Sequence, residues 1–129
     1  MWKVEWRDDS KHVVATTEEL ESLLDRLHLE HEDAEPILAV IESQINGDSL
    51  AIGLGRPLSV LNFVRGSGDP PYLTSLGTSD EEKTMEFDFM GQISEFPIRN
   101  AVPTDTAREA VHEFVKTGGL PRTVRWEED

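Results

Sequence analysis

The chain opens on an alternation. Trp2, Val4 and Trp6 fall on one side of an extended segment and Lys3 and Glu5 on the other, the period of a half-buried strand. Arg7-Asp8-Asp9-Ser10 reads as a polar turn, and His12 to Ala15 as a second short strand. Thr16-Thr17-Glu18-Glu19 then has the form of a capping box, in which a threonine oxygen accepts from a free helix amide and the glutamate three residues on reaches back. Leu20, Leu23, Leu24 and Leu27 recur at one-face helical spacing, which predicts a helix over about 17–28.

Strand periods follow. Ile37 to Ile45 and Ser49 to Leu54 are apolar runs joined by Asn46-Gly47-Asp48, and Asn-Gly accepts the positive φ of a tight hairpin. Leu58 to Arg65 sets Val60, Asn62 and Val64 opposite Leu61 and Phe63. Gly66 to Pro71 is a turn, and Tyr72 to Leu76 a further strand. In Thr84 to Met90, Met85, Phe87 and Phe89 point one way and Glu86 and Asp88 the other. That pattern covers a core with one face and shows carboxylates on the other.

Pro103-Thr104 opens a second helix, with Thr104 as its expected N-cap and Asp105 at the positive end of the dipole. Ala107, Ala110, Val111, Phe114 and Val115 form its apolar stripe, Lys116 sits in its last turn and Gly118 ends it. Thr123 to Trp126 is a final strand. The order predicts an α+β fold, an antiparallel meander sheet with two helices packed on one face and the other face free. Its 129 residues, without repeat or linker, fit one domain over 1–129.

Composition narrows the chemistry. There is no cysteine, so disulfides, thiolate metal sites and cysteine nucleophiles are excluded. The N-terminus lacks the apolar centre of a signal peptide, and the longest apolar run, Ile37 to Ile41, is too short to span a bilayer; a cytoplasmic protein is expected. Twenty-six acids stand against 12 bases, a net charge of −14. Such a surface repels nucleic acid and anionic lipid and attracts basic partners, although solubility alone also favours acidic surfaces.

No catalytic constellation emerges, and no enzyme activity is expected. His28 and His31 stand at i,i+3 among Glu30, Glu32, Asp33 and Glu35, but no second ligand pair exists and a solvated helix end explains them, so no metal is expected. Gly53-Leu54-Gly55 lacks the third glycine and the Lys-Ser/Thr pair of a phosphate loop, and reads as hairpin punctuation; no cofactor is expected. Ser59 and Ser94 are not in nucleophile elbows. What remains is an acidic surface. Asp80, Glu81, Glu82, Glu86, Asp88 and Glu95 are the candidate partner-binding residues. Tyr72 joins them as an apolar anchor; Met90 and Trp126 are further anchors, with the core the commoner place for Trp126 and Phe89.

Several segments resemble the Imm1 family of bacterial immunity proteins. They are Leu50-Ala-Ile-Gly-Leu-Gly55 running into Ser59-Val-Leu-Asn-Phe63, Pro71-Tyr-Leu-Thr-Ser-Leu-Gly77, Gly91-Gln-Ile-Ser-Glu-Phe-Pro97, Ala107-Arg-Glu-Ala110 with Phe114, and Thr117-Gly-Gly-Leu-Pro121 before Val124-Arg-Trp126. The resemblance covers about residues 37–127. It implies a protein that binds and neutralises a cognate secreted polymorphic toxin, chiefly a nucleic-acid deaminase. A toxin acting on nucleic acid is a basic domain with a cationic cleft, so the acidic face is expected to occlude its active site. The alternative is a small acidic adaptor or regulatory module without a toxin partner.

Overall fold

A computed structural model describes residues 1–7 and 10–129. The turn expected at Arg7-Asp8-Asp9-Ser10 includes Asp8 and Asp9 and lies outside them. The elements run β1 (Trp2–Arg7), β2 (Ser10–Val14), α1 (Thr17–Glu30), β3 (Ile37–Ser43), β4 (Ser49–Leu54), β5 (Leu58–Ser59), β6 (Leu61–Val64), β7 (Leu73–Leu76), β8 (Thr84–Phe89), β9 (Gln92–Pro97), a 3₁₀ turn (Ile98–Asn100), β10 (Val102–Pro103), α2 (Thr104–Thr117) and β11 (Arg125–Glu128). The sheet order is β11-β7-β6-β4-β3-β1-β2, with antiparallel neighbours throughout. The two helices and the antiparallel, mostly sequential sheet make the expected α+β fold.

Strand alternation sends Val4, Ile37, Ala39, Ile41, Leu50, Ile52, Leu54, Leu61 and Phe63 to one face, where they form a single core with residues of both helices. Helix α1 contributes Leu20, Leu23, Leu24 and Leu27, and α2 contributes Ala107, Ala110, Val111, Phe114 and Val115, all buried. Full burial stabilises by about 1.5–3 kcal/mol for each leucine or phenylalanine. Phe63 and Phe114 meet edge to face at 6.2 Å. Arg108 of α2 clamps Glu21 and Asp25 of α1 at 2.7 and 2.9 Å.

The helix ends explain two further sequence features. Thr16 caps α1 as expected, its hydroxyl oxygen accepting from the Glu19 amide at 3.1 Å. Thr104 does not cap α2. Pro103 takes the N-cap position without a side-chain bond, while the buried Thr104 hydroxyl donates to the Arg56 carbonyl at 2.6 Å. At the other end of α1, His28 and His31 are not a solvated helix end. His31 is buried, with Nδ1 on the Leu27 carbonyl at 2.7 Å and Nε2 facing Arg7 Nη2 at 3.1 Å. His28 Nδ1 accepts from the Gly55 amide at 2.9 Å. The Arg56 guanidinium lies within donor distance of the carbonyls of His31, Glu32, Ala34 and Gly55, closing the helix C-terminus.

The expectation of a free sheet face is corrected. Strands β8 and β9 form a hairpin whose strand pairing with the main sheet, among the described residues, is one parallel pair, Ile37 with Asp88, and which folds across the face away from the helices. Phe87 is buried there with Leu38 and Val60, and Met85, Phe89 and Phe96 pack around them. The apolar side of the hairpin needs a cover, and this face supplies one at Gly53. A Cβ on Gly53 would stand 2.5 Å from the Phe87 ring, so Gly53 is a seat for that ring and not hairpin punctuation.

Candidate functional site

The hairpin has two faces because opposed residues share a side. Met85 with Phe96 and Phe87 with Ser94 look inward; Glu86 with Glu95 and Asp88 with Ile93 look outward. Glu86 and Glu95 are exposed, and among the described residues neither joins an ion pair. Ile93 is 53% exposed beside them. Asp88 is half-buried, and its Oδ1 is shielded from solvent without a hydrogen-bond partner among the described residues.

Asp80, Glu81 and Glu82 lie exposed in the segment that leads into β8. Glu81 pairs with Lys83 at 3.0 Å, and the Lys83 carbonyl accepts from the Ile98 amide at 2.8 Å. The structure thus brings Glu86, Asp88 and Glu95 onto one face and places 80–82 at its entrance. Tyr72 stands apart, before β7, its hydroxyl donating to the Gly68 carbonyl at 2.6 Å. Trp126 is half-buried against the main core with its indole N–H on the Pro121 carbonyl at 2.8 Å. Met90 and Gly91, at φ 54° and 85°, make the hairpin turn.

A second feature was not foreseen. Where the hairpin crosses the sheet it leaves a groove of about 520 Å³. Its floor follows one cross-strand row in which Val40, Ala51, Asn62, Thr74 and Glu127 are successive partners across five strands. Phe89, Ser94, Phe96 and Pro97 wall it on the hairpin side, and Arg99, Asn100, Glu128 and Asp129 gather at the β11 end. Asn100 donates to Glu127 at 2.8 Å and Arg99 at 3.0 Å. The Asn100 amide, and the Arg99 guanidinium after it, hold the Glu127 carboxyl below its ordinary value against the cost of desolvation. The Asp129 carboxylate accepts from the Thr74 hydroxyl and the Asn62 amide.

Neither feature assembles a reaction centre. Serines 59 and 94 illustrate this: Ser59 donates to the Gly53 carbonyl inside the fold, and Ser94 lines the groove without a base among its hydrogen-bond partners in the described residues. Among the described residues no group of three or more metal-ligating side chains gathers, and no helix is long and apolar enough to cross a membrane. Fold and surface together define a small α+β protein whose distinctive features face outward, one an acidic hairpin and the other a groove. Residues 8–128 match the family described as Immunity protein Imm1. The chain belongs to the Imm1 family of immunity proteins, which is non-enzymatic and whose members have a cognate toxin as protein partner. The match extends N-terminal of the region 37–127 over which the sequence resembles the family. No curated protein matches the chain.

Proposed function

We propose that this immunity protein acts in the cytoplasm on a toxin that attacks nucleic acid, a deaminase by preference, and that it does so by covering the toxin's cationic cleft. A protein that binds nucleic acid needs basic side chains along its substrate path. A chain of net charge −14 is a natural counterpart to such a path. The contact is assigned to Glu86 and Glu95, with Asp80, Glu81 and Glu82 at the entrance and Asp88 behind them; Tyr72 adds an apolar contact outside the hairpin.

One observation carries this reading. Glu86 and Glu95 are directly opposed on an exposed face, with no cation between them among the described residues. Like charges so placed weaken a hairpin. An arrangement that costs stability is best understood by what it meets in a complex. The test is co-expression with the toxin domain encoded beside this protein, scored by growth rescue and co-purification. The association rate of the purified pair, measured from low to physiological salt, should fall steeply. A flat rate, or no rescue, overturns the proposal.

A further inference from the structure

The groove beneath the hairpin has the makeup of a receptor for one long cationic side chain. We infer that it receives an arginine or lysine presented on a loop of the cognate toxin, with the carbon stem over Ala51 and Asn62 and the charged head at the Asp129 carboxylate, which Asn62 and Thr74 hold in place. The inference rests on the toxin reading above and assigns a second contact to it.

Shape supports this first. The row Val40, Ala51, Asn62, Thr74 and Glu127 carries only modest side chains in its middle, so the sheet there stays recessed while Phe89 and Phe96 stand beside it. Ala51 and the carbon atoms of Asn62 suit the methylene stem of a basic residue, and aromatic walls suit a guanidinium face.

Charge supports it second. At one end Glu127 engages Arg99, and Asp129 stands beside them as a carboxylate in excess. Asp129 is held in place by Thr74 and Asn62, yet a carboxylate offers about four acceptor positions, so it can still take a donor. Carboxylates fixed beforehand lose little side-chain freedom on binding. The Asn100 amide and the Arg99 guanidinium favour the ionised form of the Glu127 carboxyl.

The groove and the hairpin face make separable contributions. Exposed charge governs encounter, whereas a desolvated anchor in a pocket governs residence. The first probe is N-acetyl-arginine methylamide, titrated into the full chain and followed by amide NMR, with the uncharged N-acetyl-citrulline methylamide as its control. The arginine probe should give saturable shifts at Ala51, Asn62, Thr74 and Glu127, and the citrulline probe should not. Equal shifts from both, shifts elsewhere, or none at the groove overturn the inference.

The second arm uses the purified complex with the toxin. Ala51→Leu fills the recess, and Asp129→Asn removes charge while keeping a hydrogen-bonding group. Each should weaken the complex by about tenfold or more, through faster dissociation. Glu86→Gln with Glu95→Gln should instead slow association. Loss of the second effect alone sinks the hairpin proposal, and loss of the first alone sinks the groove.

Discussion

The ring of Phe87 lies on the bare backbone of Gly53, where a single added carbon would come within 2.5 Å of it. This contact fixes the β8–β9 hairpin across the sheet, since among the described residues its strand pairing with the sheet is the one pair Ile37 and Asp88. Gly53→Ala should therefore cost about 1–3 kcal/mol by overpacking, read from urea unfolding. Adding Phe87→Leu should restore part of that loss. A purely additive pair of substitutions would show that the two residues do not bear on each other.

The opposed carboxylates of Glu86 and Glu95 should trade stability against encounter. Changing either to glutamine should raise stability by about 0.2–1 kcal/mol. The same change should slow association with the toxin. Thermal unfolding checks the first outcome, and rapid mixing of the purified partners the second.

Acid should loosen the C-terminal region through two glutamates. Glu113 accepts from the Thr123 hydroxyl at 2.6 Å and the Arg122 amide at 2.7 Å, and these bonds hold its carboxyl below the ordinary range. Glu127 is lowered in the same direction by Asn100 and Arg99. Both folded values lie below the unfolded one of about 4.3, so their contribution is complete above that pH and is lost as pH falls through the depressed values. Glu113→Gln with Glu127→Gln should flatten the acid limb of a plot of urea midpoint against pH. An unchanged slope would count against these two groups as its source.

Arg56 should not be replaceable by lysine. Its planar fork reaches four carbonyls around the end of α1, and an ammonium cannot span them together. Arg56→Lys should destabilise by about 1–3 kcal/mol, measured by urea unfolding.

Both helices were legible in the sequence, because a one-face leucine stripe behind Thr16 and an alanine-rich stripe before Gly118 each have a single sensible reading. The β3–β4 hairpin was legible through Asn46-Gly47. Strand β9 was not. Its inward residues are Ser94 and Phe96 and its outward ones Ile93 and Glu95, so the apolar alternation that marks a strand is broken by the hairpin's own partial burial. The run expected from Leu58 to Arg65 divides at Val60 because Leu58 and Ser59 pair with β10 instead. The groove was beyond reach for another reason. Val40 and Glu127 belong to one row only through three intervening strands, and periodicity within a strand carries no information about neighbours across a sheet. The acidic run at 80–95 was visible as composition, but its two-sided character, and the partial shelter of Asp88, came only with the register.

The slender backbone link at Ile37 and Asp88 makes the hairpin an appendage to the helix–sheet body. Its outward side chains contribute nothing to the main apolar interior, so they can be rewritten at little risk to folding. A lineage faced with a changing adversary could revise Glu86, Ile93 and Glu95 one at a time, while Phe87 keeps the whole ornament fastened to its seat.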